Sequence, residues 1–142
     1  MGYPMFKQFS KIFIKKEDKE KALKAIKNLV GQETCNEDHF AFVHNFKDTK
    51  TFEEVMEEWR WKTVKNENGD IIDIDFIGEK IGDDNLLFSK IAPFVKEGSF
   101  IDMVGGNGMI WKWIFENKKC KESNPLVNEF RWWLQIKDKQ KE

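Results

Sequence analysis

Several residue types are scarce in this chain, and each shortage excludes something. Two cysteines, Cys35 and Cys120, among 142 residues are too few for a disulfide framework, so both are expected as free thiols. Two histidines, His39 and His44, leave little imidazole for metal binding or proton transfer. No apolar run approaches the ~20 residues that a membrane helix needs. The opening Met1-Gly2-Tyr3-Pro4-Met5-Phe6 lacks the basic-then-apolar layout of a secretory signal. It also carries Phe6 where a myristoylation motif requires Ser or Thr. The expectation is a cytoplasmic protein that does not enter a membrane. A net charge of −1 gives no general attraction to nucleic acid or anionic lipid.

What is present suits one domain over 1–142. Forty per cent apolar content supplies a core, and a chain this long can bury roughly 70% of its unfolded surface. Thirty-five per cent charged residues exceeds the usual ~25%, so the surface is densely ionic. The charge is segregated: residues 1–30 carry +5, residues 31–60 carry −5, and the remainder −1. Lys outnumbers Arg 22 to 2.

The six tryptophans fall in three tight pairs: Trp59-Arg60-Trp61, Trp111-Lys112-Trp113 and Trp132-Trp133. In the first two, an aromatic alternates with a cation, the period-two signature of an amphipathic strand. Residues 59–64 and 71–77 flank Asn66-Glu67-Asn68-Gly69, a hairpin turn. A four-residue loop sets Trp59 opposite Phe76, Trp61 opposite Ile74 and Thr63 opposite Ile72. On the other face it sets Arg60 opposite Asp75 and Lys62 opposite Asp73; a two-residue Asn68-Gly69 turn keeps the same faces but shifts the partners. A second hairpin runs 100–104, Gly105-Gly106-Asn107-Gly108, 109–115, with Met109, Trp111, Trp113 and Phe115 on one face. A symmetric loop there puts Asp102 opposite Trp111, an awkward pairing. A further short strand is expected at 119–122.

Helices are expected between these strands. A first strand over 6–14 leads to a helix from Asp18 to about Val30, with Ala22, Ile26, Leu29 and Val30 inward and Lys19, Lys21, Lys24 and Lys27 in water. A second strand follows at 39–46. Thr51 and Glu54 form a capping box opening a short helix to about Glu58. Asp83 or Asp84 caps a helix that ends near Pro93. Asn124-Pro125 starts a last helix over 124–140. Together these indicate an α+β fold: an antiparallel or mixed sheet of Trp-rich hairpins with helices mainly on one face. The strand–helix–strand of 1–46 is partly ferredoxin-like. Helix-then-hairpin occurs twice, at 51–77 and 84–115, as a weak internal duplication.

No chemical kit stands out. Gly105-Gly106-Asn107-Gly108 precedes a strand, whereas a phosphate loop needs a following helix. Cys35, His39 and His44 lack zinc-ligand spacing: the two His, five apart, point to opposite faces of one strand. Neither His lies near a Ser in a strained turn. Asp73 and Asp75 read as one side of a salt-bridged exterior. No cofactor, metal or catalytic residue is assigned, and the balance is against an enzyme. The Trp stripes read as core for Trp59, Trp61 and Trp113, because a stacking platform would place its basic residues on the same face as its rings. Two surfaces remain as partner-binding candidates. One is the acidic edge of Glu53, Glu54, Glu57 and Glu58. The other is Arg131 with Trp132, since neighbouring helical Trp residues cannot both enter one core.

The run Leu87-Phe88 … Ile91-Ala92-Pro93-Phe94-Val95 … Gly98-Ser99-Phe100-Ile101 … Gly105 … Gly108 … Trp111-Lys112-Trp113 … Phe115 resembles one in small proteins of low-GC bacteria that carry a domain of unknown function. Glu57-Glu58-Trp59-Arg60-Trp61 … Asn68-Gly69-Asp70 … Gly78-Glu79-Lys80 belongs to the same resemblance. It covers about residues 51–122 and implies no activity or site residue. The reading is a non-enzymatic interaction domain, inhibitor-like or immunity-like, binding a protein partner or a second copy of itself. The alternatives are a nucleic-acid binder using the basic N-terminal strand and helix, and an enzyme whose site goes unrecognised.

Overall fold

The computed structural model describes residues 4–29, 48–106 and 108–123. The strand expected at 39–46, the helix at 124–140, Val30, Cys35, His39, His44, Arg131 and Trp132 lie outside the described residues. The fold is α+β. Strand β1 (Met5–Lys11) is followed by a 3-10 turn (Lys16–Asp18) and helix α1 (Lys19–Lys27). Helix α2 (Phe52–Glu58) leads into the hairpin β2 (Trp61–Lys65) and β3 (Ile71–Phe76). Helix α3 (Asp84–Ile91) and a 3-10 turn (Ala92–Phe94) precede β4 (Phe100–Gly105), β5 (Ile110–Glu116) and β6 (Lys119–Ser123). Both helix–hairpin units form, but in different places. β2–β3 is a two-stranded sheet, whereas β4–β5 is the centre of a four-stranded antiparallel sheet ordered β1-β4-β5-β6.

The two sheets are stitched along β1 and β3. Ile14 and Ile71 exchange both backbone hydrogen bonds at one end, and the Met5 amide donates to the Glu79 carbonyl at the other. Between these points the strands do not pair directly. Lys7 Nζ donates to the Ile74 carbonyl, and the Ser10 hydroxyl donates to the Asp73 carboxylate, so side chains bridge the seam.

Helix starts follow the sequence in one case and depart from it in two. Thr51 accepts from the Glu54 amide at 3.1 Å, and Glu54 accepts from the Lys50 amide at 3.0 Å, so α2 carries a capping box displaced by one residue. Asp18 and Asp83 occupy the cap positions of α1 and α3 without making a side-chain cap bond. At Asp18 the 3-10 turn already feeds the helix in helical geometry. Lys19 and Lys27 do not face water as expected: Lys19 pairs with Glu53 at 2.7 Å and Lys27 donates to the Thr49 carbonyl.

The first hairpin pairs residues 61–64 in the register of the two-residue Asn68-Gly69 turn rather than the four-residue loop, and the second departs from its symmetric loop. Asn66 Oδ1 accepts from the Asn68 and Asp70 amides, drawing Asp70 into the loop, and a bulge follows Val64. The partners are therefore Trp61–Phe76, Lys62–Asp75 and Thr63–Ile74. The bulge turns Ile71 inward and leaves Ile72 40% exposed. In the second hairpin the Gly105 amide donates to the Met109 carbonyl, which shortens the loop. Asp102 then faces Lys112, 3.4 Å away, and the awkward pairing with Trp111 disappears. Met109 lies outside the core, 51% exposed.

One core joins the elements. Phe88 of α3 sits against Trp61, Trp113 and Phe115, with ring centroids 5.2, 4.7 and 6.0 Å away. Ala22, Leu23 and Ile26 of α1 and Phe52, Val55 and Met56 of α2 complete it. Packing of this kind stabilises chiefly by removing apolar surface from water.

Candidate interaction surface

The first Trp pair is buried by a helix ending rather than by strand alternation. Trp59 caps α2. Arg60 takes the left-handed conformation at φ 75°, where helices usually place Gly. The reversal lets Trp59 and Trp61 both enter the core, 1% and 0% exposed, and carries Arg60 inward with them. Asp75 is thus not its partner. Arg60 donates to Asp84 at 2.9 Å and to the Lys80 carbonyl, and its guanidinium lies 5.1 Å from the Phe76 ring centroid. A Cβ at Gly78 would come within 2.7 Å of Phe76, so only glycine fits beside this stack.

Asp84, 1% exposed, is the hub. It also accepts from Trp61 Nε1 at 2.9 Å and from the Gly82 amide at 3.2 Å. Burial pushes its carboxyl up, opposed by the Arg60 charge and by these donors. The knot is buried and ties the β2–β3 hairpin to α3. The sequence held one signal for it: Asp84, Leu87, Phe88 and Ile91 share the i, i+3, i+4, i+7 stripe, which places a carboxylate among core residues.

Among the sequence candidates, the acidic edge divides. Glu53 is committed to Lys19. Burial raises its pKa, but the Lys19 bond and charge, its backbone bond and Lys65 outweigh this and hold it lower. Glu54 is committed to the cap, and Glu57 and Glu58 are exposed. Burial, with Glu122 adding, pushes the Cys120 thiol up to about 12, so it stays protonated and unreactive at neutral pH. Among the described residues, no group of three or more His, Cys, Asp or Glu side chains is placed to hold a metal. No helix among them is long and apolar enough to cross a membrane.

The exposed aromatic surface lies on the other side of the four-stranded sheet. Ile101, Met103, Trp111, Trp113 and Phe115 point inward and are buried. Phe100, Asp102 and Val104 of β4 and Ile110, Lys112 and Ile114 of β5 alternate with them and point outward. A bulge between Lys7 and Phe9 sets Phe6 opposite Val104 and Phe9 opposite Asp102. Both rings therefore share this outer face despite an odd spacing that ordinary alternation would send to opposite sides. They are 57% and 70% exposed. Lys112 pairs with Asp102 and lies 4.9 Å from the Phe100 ring centroid. Lys121 faces Ile114 and Lys119 faces Glu116, placing them at the margin of the same face with Lys11, which faces Phe100. The face is an aliphatic centre, an aromatic edge and an ionic margin.

Comparison of the chain with protein-family models, with curated proteins and with solved structures finds no match to any of them.

Proposed function

We propose that this chain is a binding module for a protein partner, and that the outer face of β1, β4 and β5 is its contact surface. The observation that carries the reading is the exposure of Phe6 and Phe9 beside Val104 and Ile110. Exposed aromatics next to an aliphatic centre with charges at the margin have the anatomy of a protein interface. The acidic helix edge contributes less, because two of its four carboxylates already hold the fold together. The module resembled over 51–122 adds no activity to this reading.

The test is the double variant Phe6→Lys, Phe9→Lys, matched to the native chain in melting temperature. Proteins retained by the native chain from a lysate of its own cells, and lost by the variant, support the surface. An identical set retained by both removes it. A second reading, single-stranded nucleic acid, draws on Lys11, Lys119 and Lys121 flanking the same rings. Against it, Lys112 is already neutralised by Asp102 and the centre of the face is aliphatic. A gel shift that weakens steeply between low and high salt would replace the first reading with the second.

A further inference from the structure

Away from the outer face, the chain between β1 and α1 meets the turn that ends α3. A cleft of about 410 Å³ opens there, within the range of small-molecule sites. Phe13, Pro93, Phe94 and Val95 supply apolar wall, while Lys15, Lys96 and Asp18 supply charge. The walls are held by backbone. The Lys96 amide donates to the Phe13 carbonyl at 2.8 Å, the Phe13 amide donates to the Ser99 hydroxyl at 3.3 Å, and Ile14 bridges Val95. Lys96 Nζ lies 5.8 Å from the Phe13 ring centroid, so apolar and cationic elements converge on one space. A preformed cleft of this kind costs little ordering when occupied.

We propose that this cleft binds a small aromatic monoanion, its ring against Phe13, Phe94 and Pro93 and its carboxylate between Lys15 and Lys96. Two cations against one carboxylate select a single negative charge. Asp18 is left to accept a hydrogen bond from an amide or hydroxyl donor on the ligand. The proposal shares no residue with the outer face, so either can fail without the other.

N-acetyl-L-phenylalanine carries the ring, the charge and the amide donor, and is the probe. Titration of the full chain followed by amide chemical shifts is expected to saturate, with the largest shifts at Phe13, Val95 and Lys96. N-acetyl-L-phenylalaninamide, which lacks the charge, and acetate, which lacks the ring, should each bind at least about fivefold more weakly. The exposed pair Lys15→Ala, Lys96→Ala should weaken the probe by a similar factor while leaving the melting temperature in place. No saturation up to about 10 mM, equal binding of the neutral amide or of acetate, or unchanged affinity in the double variant would each overturn the proposal.

Discussion

On the inner face of the four-stranded sheet, Trp111, Trp113 and Phe115 are at most 5% exposed, while on the outer face Phe6 and Phe9 are 57% and 70% exposed. The two cations that sit between tryptophans divide in the same way. Arg60 is buried and bound to Asp84, whereas Lys112 stands on the outer face beside Asp102. The identical Trp–cation–Trp spacing thus arises by two routes: a helix end with a left-handed Arg, and a true strand. The difference teaches that period-two spacing near a helix end does not decide which way the middle residue points, because one residue of positive φ inverts the pattern.

Replacing Trp113 by Ala should produce the largest effect, about 3–5 kcal/mol of lost stability in chemical denaturation. Phe9→Ala on the outer face should stay within about 0.5 kcal/mol. Equal losses would erase the distinction between the faces. The cations sharpen it next. Arg60→Ala leaves Asp84 buried without its countercharge and should cost about 3–5 kcal/mol near neutral pH, against less than about 1 kcal/mol for Lys112→Ala. Because burial raises the Asp84 pKa, its charged form is the disfavoured one in the folded chain, and this contribution to stability falls as pH rises. The Arg60→Ala penalty should accordingly shrink towards acid pH, where Asp84 takes up a proton.

A smaller contrast concerns the indole nitrogens. Trp61 Nε1 donates to Asp84, while Trp111 Nε1 is buried with no hydrogen-bond partner among the described residues. Trp61→Phe should therefore lose about 1–3 kcal/mol more than Trp111→Phe, measured as the difference between the two denaturation curves. The smallest effect belongs to Glu53. Its lowered pKa means that it stabilises the fold above its ordinary titration range and loses that contribution as pH falls through and below that range. Glu53→Gln should remove under about 1 kcal/mol, and only from the upper part of that pH profile.

Much of the fold was legible because its signals are local. Thr51 with Glu54, the turn glycines and the alternation of Trp111, Trp113 and Phe115 each specify structure within a few residues. Trp59, Trp61 and Trp113 were readable as core because only an interior accommodates so many rings. What was not legible depends on distant partners or on one inserted residue. The Arg60–Asp84 bond spans 24 positions, and nothing near Arg60 announces a left-handed backbone. The bulges after Lys7 and Val64 shift registers that even spacing would predict otherwise. The outer-face surface went unseen for this reason: Phe6 and Phe9 share a face only once the bulge exists. Glu53, by contrast, was visible as acidic, but its Lys19 partner lies on another helix.

Phe9 stands on the proposed contact surface, while Trp59, Trp61, Trp111 and Trp113 stand in the core. A photo-cross-linking benzophenone amino acid placed at position 9, and separately at Glu57, tests this in a lysate of the chain's own cells. A discrete protein adduct is expected from position 9, whether with another protein or with a second copy of the chain, and none from position 57. No adduct from position 9, a nuclease-sensitive one, or the same adduct from both positions would contradict it.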